Sequence, residues 1–393
     1  MNNSTHFQTA SARMQRVQAP IIPIVGQWVR ECPGTISLGQ GVVYYAPPEE
    51  VQQTIATYGH ELQHHLYQAV QGIPSLRNKI KEKLQIDNRI IKCQDQRIFV
   101  TAGANMAFAN AVFAIADPGD ELILPTPYYF NHKMAITMAD CKAVLVPTDS
   151  HYQLQIDQLQ AAITPRTRAI VTVSPNNPSG VVYSEADLRA VNALCKEAGI
   201  YHISDEAYEY FTYDGISHFS TGSIPDSHFH TISLFSLSKS YGFAGWRIGY
   251  MLMPAHLFEA VRKIQDTQLI CATVASQHAA IAALSRGKAY CESRLLQIKA
   301  SRKLFLKGLS EISDIAEVPN SQGAFYFFLR LKTQRPSVEL VERLIREYGV
   351  AAIPGSAFGA VDSCYLRIAY GALDEALAEE GIKRLVKGLR AII

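Results

Sequence analysis

The chain has 393 residues, 48% of them apolar, which is more than one hydrophobic core usually supports, so two lobes with well-filled interiors are expected. Its 37 basic and 35 acidic residues leave a net charge of +2 without long runs of one sign, which excludes an electrostatic footprint for nucleic acid or an anionic membrane and favours small-molecule partners. Seven scattered cysteines (Cys32, Cys93, Cys141, Cys195, Cys271, Cys291, Cys364) with no Cys-x-x-Cys pair indicate neither a disulfide framework nor a zinc site and fit a reducing cytoplasm, and no run of about 18 uncharged apolar residues marks a membrane span.

Residues 1–30 lack Asp and Glu and carry Arg13, Arg16 and Arg30, a weak likeness to a transit peptide that the folded character of Pro20 to Val29 opposes. Thr35 to Leu38 reads as a short strand leading into Gly39-Gln40-Gly41. The third glycine and following helix of a dinucleotide fingerprint are missing, so this is either an ordinary turn or a loop that brings backbone close to a ligand. The aromatic pair Tyr44-Tyr45 comes next, then a helix opened by Pro47, Pro48 and two acids. Tyr67 precedes Gly72, and Pro74 starts a helix to about Ile86. A strand from Arg97 to Thr101 ends in Ala102-Gly103-Ala104-Asn105 before an apolar helix from Met106 to Ala116, and such a junction offers free backbone N–H groups to an anion.

Strands and helices then alternate. Strands are expected over 121–125, 142–146, 168–173 and 201–204, and helices over 130–139, 156–163 and 184–198, the last with a capping box from Ser184 and Asp187. This pattern predicts an α/β fold with a mostly parallel sheet between helices, whose ligands bind at the carboxyl ends of the strands. Gly103 to Asn105, Tyr128 and Tyr129, Asn177, Asp205 and Tyr208, and Ser236 to Lys239 fall at those ends. Each also has a simpler reading: Pro175 to Gly180 is a good turn sequence, Asp205 serves equally as a cap or ion-pair partner, and the tyrosines as packing. His218, His228 and His230 raise a metal site, but no carboxylate at ligand spacing completes it.

The strand from Thr231 to Phe235 leads into Ser236-Leu237-Ser238-Lys239, with Gly242, Gly245 and Arg247 close behind. Hydroxyls and a guanidinium fork suit a phosphate, and an amine among them can condense with an aldehyde. Pyridoxal phosphate carries both groups. Beyond it, helices are expected over 257–265, 276–284 and 289–312, then an aromatic strand from Gly323 to Leu329 and a helix from Ser337 to Tyr348 with a capping box from Ser337 and Glu339. Extended segments over 351–355 and 365–369 complete a smaller α+β lobe.

In order and spacing these segments resemble the class I/II aminotransferases, the fold-type-I pyridoxal-phosphate enzymes, from about Thr35 to Tyr370. The likeness rests on the Asn177-Pro178-Ser179-Gly180 turn, Asp205-x-x-Tyr208, Ser236-x-Ser238-Lys239 with Arg247 eight residues on, and Leu366-Arg367-Ile368. It implies a large cofactor-binding domain over 50–288 with a mostly parallel sheet. A small α+β domain over 289–393 includes an interdomain helix, and residues 1–49 join that small domain. It implies Lys239 as the Schiff-base lysine, Asp205 as partner of the pyridine nitrogen, and Asn177 and Tyr208 on the ring's 3-oxygen. The phosphate would lie against the Gly103-Ala104-Asn105 turn, Ser236, Ser238, Arg247 and Tyr67 of a second subunit, hence a homodimer with shared sites. Tyr129, with Tyr128 next in line, would stack on the ring, and Arg367 with the Gly41 backbone would grip the substrate α-carboxylate. Free lysine, with a pKa of ~10.4, holds its proton too tightly for a base at neutral pH, so its surroundings must lower that value.

The chain departs from the family in two respects. Val43 stands where a proline is frequent, and no second arginine is evident for a side-chain carboxylate. Tyr44, Tyr45, Tyr67 and Phe325 are candidates for lining the pocket. The expected reaction is a ping-pong transfer of an amino group from an aromatic or other neutral L-amino acid, with methionine and aspartate also considered, to a 2-oxo acid. The same scaffold also supports a β-lyase acting on sulfur amino acids, a cyclopropane-forming synthase, or a binding protein that retains the cofactor without turnover.

Overall fold

The structure, a computed structural model, describes residues 10–91 and 96–393, so the first nine residues and Cys93 lie outside the described residues. Within these bounds the strands are β1 (Ile36–Ser37), β2 (Gln96–Thr101), β3 (Glu121–Thr126), β4 (Lys142–Pro147), β5 (Thr167–Val173), β6 (Tyr201–Asp205), β7 (Thr231–Ser236), β8 (Gly249–Pro254), β9 (Ala316–Glu317), β10 (Tyr326–Leu331), β11 (Val350–Ala351), β12 (Ile353–Pro354) and β13 (Cys364–Ala369). Seven form one sheet in the order β2-β8-β7-β6-β5-β3-β4, in which β8 alone runs against the rest. The expected mostly parallel sheet is therefore present, and all its forward strands end on one edge.

Both faces of this sheet are covered, as parallel strands require. Leu122, Leu124, Ala169 and Val171 pack with Phe108, Met251 and Val261 on one side, while Ile123 and Ile170 pack with Leu188, Val191 and Ile200 on the other. That alternation is the period of two of a pleated strand. The helix Glu185–Ala198 shows local rules acting together. Ser184 Oγ accepts a hydrogen bond from the Asp187 N–H at 3.0 Å, Leu188, Val191, Leu194 and Cys195 form its buried face, and Gly199 ends it in the left-handed region at φ 66°.

The smaller sheet is antiparallel, in the order β12-β13-β10-β9. The helix Gly287–Ser310 packs against the terminal helix Glu375–Ile392, which also meets the helix Ser337–Tyr348. The N-terminal stretch is tied to this part of the molecule: β1 pairs in parallel with β11, Ile36 opposite Val350. The helix Ile21–Glu31 packs on Ser337–Tyr348 as well.

Several expected boundaries move. The helix expected from Met106 starts at Ala104, and the aromatic strand expected from Gly323 starts at Tyr326. The capping box assigned to Ser337 and Glu339 is absent. Pro336 occupies the N-cap, Ser337 is buried with its hydroxyl 3.3 Å from Ser356 Oγ, and Glu339 meets Arg335 at 3.2 Å. A box needs a side-chain hydroxyl at the cap and an acid three residues on; Glu339 stands three after Pro336, but proline has no hydroxyl and Ser337 lies one residue inside the helix.

Candidate active site

The forward strands of the large sheet bring their carboxyl ends to a cavity of about 370 Å³, which Tyr326 and Arg367 of the smaller sheet and Pro20, Ile22 and Pro23 of the N-terminal stretch close from the other side. Register explains the grouping. Val173 lies opposite Asp205, and Ser236 and Thr101 flank Gly249 from either side. A Cβ on Gly249 would stand 2.7 Å from the Ala104 nitrogen, so this glycine lets the turn after β2 fold down beside the end of β7.

That turn and the end of β7 make one pole of the cavity. Gly103, at φ 84°, precedes the helix Ala104–Ile115, whose first two residues line the cavity with Ser236, Ser238 and Arg247. Arg247 Nη2 donates to the Ala102 carbonyl at 3.1 Å and Nη1 to that of Ala244 at 2.8 Å. A Cβ on Gly103 would lie 2.3 Å from Arg247 Nη2, so only glycine admits the guanidinium there. A helix N-terminus, two hydroxyls and a guanidinium form an anion site.

Asp205 forms the opposite pole. It is buried, with Oδ1 accepting from the Ala207 N–H at 3.1 Å and Oδ2 lying 3.0 Å from His132 Nε2. The His132 ring stacks on Phe108 at 4.0 Å and meets Tyr129 edge-on at 5.2 Å. Tyr129 lines the cavity, and its hydroxyl accepts from Asn131 Nδ2 at 2.8 Å.

Lys239 reaches the cavity between these poles, and its Nζ donates to the Gly41 carbonyl. Burial, followed by the Arg367 and Arg247 charges, lowers its pKa to about 8 against the opposing charge of Asp205. The amine is therefore far closer to neutrality than a surface lysine. Arg367, on β13, is buried; its Nη2 donates to the Gly39 carbonyl at 2.7 Å and its Nη1 to Asn177 Oδ1 at 3.0 Å. Its Nε has no partner. Gly39 and Gly41 both bring backbone carbonyls to buried cations of the cavity.

Of the residues singled out from sequence, Gly41, Ala104, Asn105, Tyr129, Asn177, Asp205, Tyr208, Ser236, Ser238, Lys239, Arg247 and Arg367 all line this one cavity, and Gly103 abuts Arg247. Tyr67 is 80% exposed and outside it. Tyr128 is buried beneath, with Lys133 over its ring. The expectation that Tyr44, Tyr45 and Phe325 line the pocket is not met. Tyr44 donates to the Arg294 carbonyl and Tyr45 to that of Lys239, on the side away from the amine. Phe325 lies in the turn before β10, where it packs edge-on against Tyr208 and beside Tyr326 without lining the cavity. Sequence reasoning missed Tyr326, His132, Pro20, Ile22 and Pro23. Alternation along the aromatic strand was the one available signal, and it offered Tyr326 as readily as Phe325. Of the histidines raised as metal ligands, His218 pairs with Glu206 at 2.9 Å and His230 with Asn192 at 3.1 Å, and no group of three or more candidate ligands occurs among the described residues.

An anion site, an amine of lowered pKa, a buried carboxylate and an arginine with an unsatisfied N–H define an enzyme that handles a phosphorylated aldehyde and a carboxylate substrate. Residues 33–385 match the aminotransferase class I and II family, and the chain belongs to it. It is 32% identical to an aromatic aminotransferase of Arabidopsis thaliana over 98% of both chains, and 36% identical to an aspartate aminotransferase of Pyrococcus abyssi over 81% of this chain and 82% of that one. The solved aspartate aminotransferase of Rhizobium meliloti superposes with a TM-score of 0.89 at 31% identity, covering 98% of this chain and 99% of that one. The protein is thus a fold-type-I, pyridoxal-phosphate-dependent transaminase acting between an amino acid and a 2-oxo acid. The cofactor suits the cavity, because its phosphate, aldehyde and ring nitrogen call for an anion site, an amine and a carboxylate in that order.

Proposed function

We propose that Lys239 is both the residue that binds the cofactor covalently and the base of the reaction. The observation that carries this reading is the position of its amine, between the Ala104–Arg247 anion site and Asp205 and facing Arg367. Bound pyridoxal phosphate supplies an aldehyde that links to amines and a protonated ring that takes up an electron pair. Ser236, Ser238, Arg247 and the amides of Ala104 and Asn105 would hold the phosphate, with Gly103 making room for the Arg247 fork. Asp205, oriented by His132, would keep the ring nitrogen protonated. Asn177 and Tyr208 would hold the 3-oxygen, and Tyr129 would stack on the ring.

Arg367, with the Gly41 backbone, would grip the substrate α-carboxylate. The Lys239 amine would serve as the base that takes the substrate's α-proton and would then hand it on as an acid, which a pKa of about 8 permits at neutral pH.

For the donor we infer an aromatic or other neutral amino acid, methionine included. The wall provided by Pro20, Ile22, Pro23 and Phe130 supports this, since it is apolar and the cations lining the cavity, Lys239, Arg247 and Arg367, already have roles. Aspartate, the other candidate, would leave a second carboxylate against that wall. A panel of amino acids and 2-oxo acids on purified enzyme is the test. Phenylalanine, tyrosine or methionine should exceed aspartate in kcat/KM by about tenfold or more. An aspartate preference would reject the donor assignment, and pyruvate with ammonia from a single amino acid would favour a lyase.

The same reading makes the enzyme a homodimer in which Tyr67 of each copy completes the phosphate site of the other. Its 80% exposure, beside the exposed Leu62 and Leu66, supports that arrangement. It also divides the chain into an N-terminal segment (1–49), a large domain (50–288) and a small domain (289–393), a division supported by the two separate sheets and the β1–β11 pairing. A cytoplasmic location accords with the six described cysteines, all unpaired.

A further inference from the structure

Four side chains around the Tyr208 hydroxyl form a closed circuit. Arg367 Nη1 donates to Asn177 Oδ1 at 3.0 Å, and Asn177 Nδ2 donates to the Tyr208 oxygen at 3.4 Å. The hydroxyls of Tyr208 and Tyr326 are hydrogen-bonded at 2.7 Å, and the Arg367 guanidinium lies over the Tyr326 ring, 4.6 Å from its centre. The strands set this up. Phe328 of β10 lies opposite Arg367 of β13, so Tyr326, two residues back on the same face, is its diagonal neighbour.

The direction of the phenol–phenol bond follows from what lies over each ring. Burial raises the pKa of both phenols, but the Arg367 guanidinium sits over the Tyr326 ring and draws electron density from it, which makes Tyr326 the better donor. With Tyr326 as donor, its proton points at the Tyr208 oxygen. A hydroxyl has one donor and two acceptor positions. With Asn177 and Tyr326 filling both acceptor positions of Tyr208, its own proton is left to point into the cavity that it lines. The glycine loop is shaped around the same atom, because a Cβ on Gly41 would sit 2.8 Å from Tyr326 Oη.

We infer that Tyr326 is a positioning residue with two separable duties: its hydroxyl aims the Tyr208 proton at the cofactor's ring oxygen, and its ring holds the Arg367 guanidinium in place for the substrate carboxylate. The inference rests on the proposed placement of Tyr208 at that oxygen. Without the Tyr326 hydroxyl, Tyr208 becomes a weaker and less directed donor, negative charge on the ring oxygen is less stabilised, and the bound cofactor holds its titrating proton to higher pH.

The test compares the holoenzymes of wild type, Tyr326→Phe, Tyr326→Leu and Tyr208→Phe. Two quantities are read: the pH midpoint of the cofactor's visible absorption change, and the dissociation constant of 3-phenylpropionate, a carboxylate without an amine. Tyr326→Phe should raise the midpoint by about half a unit and leave 3-phenylpropionate binding within about twofold. Tyr326→Leu should show the same midpoint shift and weaken that binding by about three- to tenfold. A midpoint that moves in Tyr208→Phe but not in Tyr326→Phe overturns the first duty. Equal carboxylate binding in Tyr326→Phe and Tyr326→Leu overturns the second. If Tyr208→Phe moves nothing, the placement of Tyr208 at the cofactor fails instead.

Discussion

His132 Nε2 stands 3.0 Å from Asp205 Oδ2, with its ring stacked against Phe108. A buried carboxylate needs its oxygens occupied, and here the Ala207 N–H takes one and the imidazole the other. The pair forms because Tyr129 ends the connection from β3 and starts the helix Phe130–Met138, whose first turn points His132 back beneath the cavity.

Asp205→Asn keeps the shape and removes the charge proposed to hold a proton on the ring nitrogen. Its kcat should fall by on the order of 10²-fold or more while the cofactor still binds. His132→Phe preserves the stack on Phe108 but frees Oδ2, and a loss of about tenfold is expected. Single-turnover measurements of the amino acid half-reaction read both. A full rate in Asp205→Asn would remove this carboxylate from the mechanism.

Lys239→Met should abolish turnover and the visible band of the bound cofactor. It should also alter the pH dependence of apoprotein stability, in a direction set by the sign of the pKa shift. The folded value of about 8 lies below the unfolded 10.5, so the folded state sheds this proton first. The cost of burying the ammonium is complete below about pH 8 and fades as the pH rises toward 10.5. Apo Lys239→Met should accordingly be more stable than apo wild type at pH 7, by on the order of 1–2 kcal/mol, with the difference shrinking above pH 8. Denaturant midpoints across that range decide it, and a gap constant with pH would contradict the assignment.

Arg367→Lys retains a positive charge and loses the fork. Because the guanidinium already spends Nη1 on Asn177 and Nη2 on Gly39, the ammonium cannot satisfy both and also meet a carboxylate. KM should rise about ten- to a hundredfold for every amino donor, aromatic or not, with a smaller fall in kcat. A rise confined to one class of donor would place the general carboxylate contact elsewhere.

Mixing inactive Lys239→Ala subunits with Tyr67→Ala subunits tests shared sites. A hybrid dimer then holds one doubly damaged site and one intact site, so random reassortment restores about a quarter of wild-type activity above the Tyr67→Ala background. No gain on mixing would mean that Tyr67 serves its own chain or none.

Much of this architecture was legible one segment at a time. The strand-to-helix junctions announced themselves through glycine, serine and asparagine next to β-branched runs. Because the forward strands of a parallel sheet end on one edge, Asn177, Asp205 and Lys239 were grouped correctly without any knowledge of which strands pair. The failures share a cause. Phe325 was preferred to Tyr326, and Tyr44 and Tyr45 were placed in the pocket, because residue type and proximity in the chain say nothing about which side of a strand or loop faces inward.

By itself the sequence determined the order of strands and helices and the strand-to-helix turns, those around Gly103 and Lys239 included, all of which depend on interactions within a few residues. Only the tertiary structure decided that His132 supports Asp205, that Tyr326 joins Tyr208 to Arg367, and that the N-terminal Pro20 and Ile22 close the cavity. Those contacts join segments far apart along the chain, 118 residues in the case of Tyr208 and Tyr326, and they arise from how separately formed elements pack, which no local periodicity records.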